Sequence, residues 1–206
     1  SFLGRLRWHC HFIQKLEDQP QIEWENMSRS YDSIRDDFNE VFFIAWKNGQ
    51  TGYPLIDACM RCLKATGYIN FRMRAMLVSF ASYDLWLDWR KTSKHLATQF
   101  TDYEPGIHYS QFQMQSGVTG INSIRIYNPV KQQKDHDGEG IFVREWVPEL
   151  KEVPLEYIFT PHLMSEGFQE IYNCKIGTDY PEPIVDHSMQ VKKAKQILYG
   201  IKKTEG

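Results

Sequence analysis

Apolar positions recur with a helical period in two parts of the chain. After Pro54, which suits the first helical position, Leu55 is followed by apolar residues four, seven and eight positions later, and Gly67 comes directly after the series. A second apolar series, free of Gly and Pro, runs from about residue 70 to residue 90. These patterns predict one helix between residues 53 and 67 and another over 70–90.

The segment 101–148 differs, because Gly and Pro interrupt it at irregular intervals and no period is sustained. We predict a long irregular region there, and loops of that length inside a compact domain are commonly functional. Short helices are predicted near residues 149–157, 161–167 and 189–199. No segment alternates apolar and polar residues as a strand would, so the expected fold class is all-α.

Composition and charge narrow the function classes. Of the 206 residues, 42% are hydrophobic and 24% charged, which predicts a folded body of either one large domain or two small ones. Lys and Arg number 24 against 26 Asp and Glu, a net charge of −2, so a nucleic-acid site would have to be a local basic patch. Acidic residues dominate 17–40, which we expect to form a solvated outer face. No run is long enough to span a bilayer and the start lacks a signal-peptide pattern, so a cytoplasmic protein is expected.

Two cysteine and histidine motifs invite a redox or metal interpretation. Cys59 and Cys62 have the spacing of redox thiols, but no strand precedes them and they share the apolar stripe of the predicted helix, which favours buried structural thiols. His9 and His11 lack carboxylate or thiolate partners at a usable spacing, so we predict no metal site there.

Three features remain as candidate binding chemistry. Arg72 and Arg74 stand at a helix start, Asp102 and Glu104 form an acidic turn, and residues 109–115 are rich in aromatic and amide side chains. Carboxylates accept hydrogen bonds from sugar hydroxyls, guanidinium groups neutralise phosphate or an anionic ring, and flat side chains cover an aromatic face. Together these groups suit a flat, charged cofactor.

The order of motifs along the chain resembles the photolyase and cryptochrome family. The run WKNGQTGYPLIDA at 46–58 is similar to the family's Trp-x-x-Gly-x-Thr-Gly-Tyr-Pro-x-Val-Asp-Ala signature. Further segments match in family order, namely residues 5–9, 60–61, 66–68, 72–74, 79–80, 88–90, 125–129, 146–150 and 180–187.

The resemblance implies a helical FAD-binding domain and light-driven repair of pyrimidine dimers in DNA by electron transfer from reduced flavin. Two alternatives stay open: a cryptochrome-like blue-light receptor without repair activity, and a fragment unable to bind FAD alone. By resemblance, residues 1–206 are expected to be the C-terminal part of the FAD-binding domain, without the family's antenna domain and the first half of the helical domain. We therefore expect FAD, dimer-containing DNA and the remaining N-terminal portion of the same protein as partners.

Carried over by motif position, the resemblance assigns a set of cofactor-binding residues: Tyr68, Asn70, Phe71, Arg74, Asp102, Glu104 and Phe112. Arg74 resembles the arginine that pairs with a carboxylate over the flavin ring. Phe71 falls where photolyases place an Asn facing the flavin, and Asn70 lies one residue earlier.

On the DNA side, Trp8 resembles the Trp that stacks on the flipped dimer, and Met114 replaces a second stacking Trp. The resemblance and a predicted basic rim together assign DNA contacts to four residues: His9, Arg72, Arg125 and Lys131.

The family's electron-transfer chain of three tryptophans is incomplete here. Phe112 occupies the innermost position and Asp36 the outermost, so only Trp89 remains. Phe is much harder to oxidise than Trp, and we predict that light-driven reduction of the flavin takes another route, through residues such as Trp86 or Tyr109.

Overall fold

A computed structural model describes residues 2–204 and, within them, the side chains up to residue 201. Described residues form ten α-helices: α1 (Phe2–Asp18), α2 (Glu40–Asn48), α3 (Pro54–Thr66), α4 (Phe71–Ser79), α5 (Trp89–Ala97), α6 (Pro105–Ser116), α7 (Pro129–His136), α8 (Ile141–Trp146), α9 (Glu166–Ile171) and α10 (His187–Thr204). Short 3-10 turns lie at Pro20–Glu23, Arg29–Tyr31, Pro148–Leu150 and Pro161–Leu163. Over 2–204 the only β feature is an isolated bridge between Ile176 and Tyr180, so the all-α prediction is confirmed.

The helix predicted between residues 53 and 67 is confirmed as α3. Pro54 opens it, and Gly67 ends it with a φ of 72° while its N–H donates to the Leu63 carbonyl at 2.8 Å. Cys59 and Cys62 are buried free thiols, as expected, and burial raises the pKa of Cys59. Helix α3 lies at the centre of the fold, where it contacts α2, α4, α7 and α8.

The single helix predicted over 70–90 is wrong, because the chain breaks between α4 and α5. Helix α4 runs into a π-helical turn at Phe80–Asp84, and Trp86 then adopts a φ of 55°, which is unusual for a bulky residue. Its indole N–H donates to the Ile34 carbonyl at 2.9 Å, and the Asp88 side chain caps α5. Tertiary contacts thus override an uninterrupted helical pattern.

The prediction of a long irregular region over 101–148 is also wrong for most of that length, because this segment contains α6, α7 and α8. Glu104 caps α6, Pro105 occupies its first turn, and Gly117 ends it with a φ of 72°. The longest stretch without a helix in this region is residues 117–128. The predicted helix near 149–157 is a single 3-10 turn, 161–167 holds a 3-10 turn and the start of α9, and α10 extends beyond the predicted 189–199.

The segment 17–40 is only partly the solvated face that its charge predicts. Asp36 and Asp37 are exposed, but Tyr31 and Arg35 are buried. The Arg35 guanidinium donates to the carbonyls of Ser82 and Ser116, each at 3.0 Å, and burial lowers its pKa to about 10. This segment therefore packs over the junction of the π-turn and α6.

The beginning of the chain packs against α6, and the closing segment packs against the loop before α3. Helix α1 crosses α6 closely at Gly106, where an added Cβ would lie 2.8 Å from the Phe12 carbonyl oxygen. The closing segment, residues 180–187, lies against the motif loop, residues 49–53, where the Ile184 N–H donates to the Thr51 carbonyl at 2.9 Å. Among the described residues, no helix has the length and apolar character needed to cross a membrane.

Candidate cofactor-binding site

A cavity of about 290 Å³ opens between α4, the end of α5, the turn at 100–104 and α6, at the lower end of the size range of ligand pockets. Apolar and aromatic side chains dominate its lining, with a few polar groups among them. The lining residues are Tyr68, Phe71, Arg74, Ala75, Val78, Leu96, Phe100, Asp102, Tyr103, Glu104, Ile107, His108, Gln111, Phe112 and Gln115. The cavity thus brings together six of the seven residues that the resemblance assigned to the cofactor.

Arg74 and Asp102 form the charged edge of the cavity, although 28 positions separate them in the chain. One guanidinium nitrogen, Nη2, donates to both carboxylate oxygens of Asp102 at 2.9 and 2.8 Å, and Nε donates to the Ile69 carbonyl at 2.8 Å. The guanidinium carbon lies 4.1 Å from the ring centroid of Phe100 and 5.4 Å from that of Tyr68. Because half of the Asp102 side chain is exposed, this ion pair contributes little to stability and serves mainly to orient the two groups.

The Glu104 side chain caps the N-terminus of α6. One carboxylate oxygen accepts from the Gly106 N–H at 3.1 Å and the other from the Ile107 N–H at 2.7 Å. A carboxylate at a helix N-terminus satisfies free N–H groups and opposes the helix dipole. Glu104 therefore fixes the start of the helix that supplies one side of the cavity.

His108 is the main cavity residue that sequence reasoning missed. It is buried, its Nε2 donates to the Ser93 carbonyl at 2.9 Å, and burial lowers its pKa to about 4. The imidazole is therefore neutral near pH 7, with its proton on Nε2 and Nδ1 left as an acceptor. Once α6 is known to be a helix, the spacing of residues 104, 108, 111 and 115 places them on one face, and this was the missed signal.

Asn70 does not line the cavity, in contrast to its assignment as a cofactor-binding residue. Its side-chain oxygen accepts from the Met73 N–H at 3.1 Å and caps α4. Rotating that side chain toward a cofactor would break the cap, which is worth about 1 kcal/mol. The next residue, Phe71, faces the cavity instead and is 60% exposed.

Trp8 and Met114, assigned to a flipped dimer, both lie outside the cavity lining. Trp8 is 62% exposed on α1, packs against Phe12 with ring centroids 5.7 Å apart, and borders a shallow hollow with Arg7 and His11. Met114 is half-buried on α6. The cavity therefore does not include these two side chains, and their role in stacking stays a prediction.

The two tryptophans assigned to electron transfer are also separate from the cavity lining. Trp89 is buried at the start of α5, and its indole N–H donates to the Asn26 side-chain oxygen at 2.7 Å. Trp86 is half-buried, with the Arg35 guanidinium 4.6 Å from its ring centroid.

The residues assigned to DNA are all exposed. His9 lies on α1, Arg72 in the first turn of α4, and Arg125 in the loop before α7. Lys131 is 3.5 Å from the Asp135 carboxylate within α7. Exposure is what a phosphate contact requires, and their role in DNA binding stays a prediction.

The cavity residues fit the flat ring of FAD better than its phosphates. Aromatic side chains can cover a ring face, Arg74 and the amides of Gln111 and Gln115 can donate to ring oxygens, and Asp102 can accept from a ring N–H. Arg74 is the only cationic side chain in the lining. No group of three or more His, Cys, Asp or Glu among residues 2–204 is placed to hold a metal ion.

Fold and site together define an all-helical domain with a pocket for a flat cofactor. The family model described as the FAD binding domain of DNA photolyase matches residues 2–199, and the chain belongs to this family. The predicted family is thus confirmed, and with it FAD as the cofactor of the family.

Relatives carry both repair and cryptochrome names. A deoxyribodipyrimidine photo-lyase of Alkalihalophilus pseudofirmus is 35% identical over 202 residues, which cover 97% of this chain and 42% of that protein. The solved structure of an archaeal photolyase from Sulfolobus tokodaii with two FAD molecules matches with a TM-score of 0.83 at 37% identity, over 97% of this chain and 44% of that one. A cryptochrome structure from Synechocystis matches with a TM-score of 0.88 at 29% identity, over 95% and 41%. The chain spans about two fifths of the length of the curated relatives it matches.

Proposed function

We propose that this chain forms the ring-facing side of an FAD site in a photolyase that splits pyrimidine dimers in DNA. The observation that carries the proposal is the cavity edged by Arg74 and Asp102 and covered by aromatic side chains, in a chain of the photolyase FAD-binding family. Relatives named deoxyribodipyrimidine photo-lyase at about 35% identity support the repair reaction.

The side chains of the cavity would hold and orient the cofactor. Arg74 brings positive charge to an electron-rich ring, and Asp102 holds Arg74 in place while keeping half of its own side chain open to accept a ring N–H. Neutral His108 adds an acceptor at Nδ1. Reduced FAD in such a site supplies, on absorbing light, the electron that splits a dimer.

Binding of damaged DNA would use the exposed residues outside the cavity. Trp8 offers an exposed aromatic ring for a flipped base, Met114 on α6 offers an adaptable apolar side chain, and Arg72, Arg125 and Lys131 offer phosphate contacts. Such contacts would make binding strongly salt-dependent despite the net charge of −2.

A blue-light receptor is the second candidate, and one observation favours it. Neither Trp8 nor Met114 lines the cavity, so these two side chains do not form its wall for a flipped dimer. The likeness to the Synechocystis cryptochrome is as extensive as that to the photolyases.

The first experiment measures FAD binding by the natural protein through its flavin spectrum and a titration. The change Asp102→Ala should weaken FAD binding about tenfold or more, because Arg74 loses its orienting partner and the ring loses an acceptor. The matched control is Asp36→Ala, which removes an exposed carboxylate far from the lining residues in sequence and should leave binding unchanged. Equal affinities in both variants would reject the assignment of this cavity.

The second experiment separates repair from light sensing. Binding to intact and dimer-containing duplexes is titrated against salt, and dimer splitting is followed under blue light. Arg125→Ala should weaken binding to both duplexes alike, whereas Trp8→Ala should lose mainly the preference for damage, since stacking on one base is worth about 1–3 kcal/mol. If FAD is bound but the wild type shows neither preference for dimers nor splitting, the receptor is the better interpretation.

A further inference from the structure

Next to the cavity residue His108 lies a tyrosine that is paired with a carboxylate. Tyr109, on α6, is only 4% exposed, and its hydroxyl donates to Oε1 of Glu23 at 3.1 Å. Glu23 ends the 3-10 turn at Pro20–Glu23 and is half-exposed. A buried phenol therefore has a proton acceptor that is itself in reach of water.

The same tyrosine is connected to the cavity. Tyr103, which lines the cavity, lies close enough to the Tyr109 hydroxyl to raise its pKa. The imidazole of His108 contacts both rings, with centroid distances of 5.1 Å to Tyr103 and 5.3 Å to Tyr109. A continuous set of side chains thus links the cavity to Glu23.

This arrangement is suited to the loss of one electron from the phenol. Removing an electron makes a phenol strongly acidic, so oxidation is easiest where a base can take the proton at once. The Glu23 carboxylate is such a base, because it is an acceptor already within hydrogen-bond distance of the Tyr109 hydroxyl. The phenol does not ionise beforehand, since burial, the contact with Tyr103 and the negative charge of Glu23 raise the pKa of Tyr109.

Trp86 and Trp89, the two tryptophans assigned to electron transfer, have no base hydrogen-bonded to the ring. The indole N–H of Trp86 donates to a backbone carbonyl and that of Trp89 to an amide oxygen, neither of which is a base. An arginine also lies over each ring, Arg35 at 4.6 Å from Trp86 and Arg90 at 5.5 Å from Trp89. A fixed positive charge at that distance opposes the formation of a positively charged tryptophan radical.

We propose that Tyr109 is the residue that supplies an electron to photoexcited oxidised FAD in the cavity, and that Glu23 takes the phenolic proton. In the balanced step, Tyr109 loses one electron to the flavin and breaks its O–H bond, and the proton forms a new O–H bond at Oε1 of Glu23. The products are a neutral tyrosyl radical, a neutral carboxyl group and a flavin that carries one more electron. The inference rests on the proposed FAD site.

A second tyrosine–carboxylate pair shows why position matters. Tyr180 donates to Asp57 at 2.6 Å in the closing segment, and both residues are fully buried. Neither residue lines the cavity, so this pair has the hydrogen bond but not the connection to a cofactor.

The test uses the natural protein loaded with oxidised FAD, without oxygen, under blue light. Radicals are followed by transient absorption and electron paramagnetic resonance, which distinguish tyrosyl from tryptophanyl species. The wild type should form a tyrosyl radical, Tyr109→Phe should lose it, and Glu23→Gln should slow its formation about tenfold or more and diminish the solvent deuterium isotope effect. The matched control is Tyr172→Phe, at a half-buried tyrosine that stacks on Phe168, and it should behave as the wild type.

Three results would overturn the proposal: a tyrosyl radical that persists in Tyr109→Phe, a wild type that forms only tryptophanyl radicals, or a Glu23→Gln variant with unchanged rate and isotope effect. Tyr103→Phe identifies the donor further, since it should keep the radical if Tyr109 is the source. FAD content and melting temperature are measured first in every variant. Failure of the wild type to retain FAD would refute the proposed function itself, whereas normal retention with no tyrosyl radical would refute only the role of Tyr109.

Discussion

The motif loop and the cavity both depend on a carboxylate, but the two carboxylates have opposite environments. Asp57 is fully buried and accepts hydrogen bonds from the Thr51 N–H and hydroxyl, the Gly52 N–H and the Tyr180 hydroxyl at 2.6–3.0 Å. Asp102 has one partner, Arg74, and keeps half of its side chain exposed. A carboxylate without spare acceptor capacity joins parts of the fold, whereas one with an open side is available to a ligand.

The largest expected effect is at Asp57. The change Asp57→Ala leaves several buried donors without partners and should lower the free energy of unfolding by about 3–5 kcal/mol. Denaturant unfolding measures this, and Asp36→Ala, at an exposed carboxylate, should stay within about 0.5 kcal/mol of the wild type. A small effect of Asp57→Ala would mean that the closing segment is not held by this residue.

The close approach of the closing segment to the motif loop can be tested at Gly52. Its φ is +76°, and an added Cβ would overlap the backbone of Glu182 and Pro183. Gly177 has a φ of +85° but no neighbour within 4 Å of an added Cβ. Both Gly→Ala changes incur backbone strain of about 1–2 kcal/mol, and Gly52→Ala should be worse by about another 1–3 kcal/mol because of the overlap. Equal melting temperatures for the two variants would contradict the tight contact.

On the cavity side, the buried His108 should make the free energy of unfolding depend on pH. Burial lowers its pKa in the folded protein to about 4 from the ordinary 6.5. Because the pKa is lower in the folded protein, the unfolded chain binds the proton more tightly. The contribution of the neutral, buried imidazole to the free energy of unfolding is therefore complete above pH 6.5 and is lost as the pH falls toward 4.

At pH 5 the loss at His108 should amount to about 2 kcal/mol of unfolding free energy relative to pH 7. The measurement is the stability of the wild type minus that of His108→Gln at the two pH values. His136→Gln, at an exposed position, is the control and should show no comparable change. A constant difference between wild type and His108→Gln would show that the imidazole is not shielded as the structure indicates.

Sequence patterns predict the motif loop side better than the cavity side. Helix α3 could be bounded correctly because Pro54 and Gly67 are local signals that act on the backbone directly. The break at Trp86 could not, because its positive φ is held by contacts with Ile34 and Arg35, about 50 positions earlier in the chain.

Helix α6 was missed for a different reason. Pro105 and Gly106 are typical of irregular structure, although Glu104 followed by Pro105 is also a helix start, and Gly106 is needed for the contact with α1. The pairing of Arg74 with Asp102 has no local signal, since 28 positions separate the two residues, and the resemblance to the family predicts only that Arg74 pairs with a carboxylate. His108 had neither kind of support, which is why it emerged only from the structure.

The smallest expected effect distinguishes a residue beside the cavity from one in it. Asn70→Ala removes the cap of α4 and should lower the unfolding free energy by about 1 kcal/mol, because the Met73 N–H loses its acceptor. FAD affinity should stay within twofold of the wild type, in contrast to the loss expected for Asp102→Ala, because the Asn70 side chain does not reach the cavity lining. Asn70→Asp is the matched variant, since a carboxylate also caps a helix, and it should restore stability. If Asn70→Ala instead lost FAD while keeping its melting temperature, the Asn70 side chain would have to turn toward the cofactor on binding, and it would be a cofactor-binding residue and not only the cap of α4.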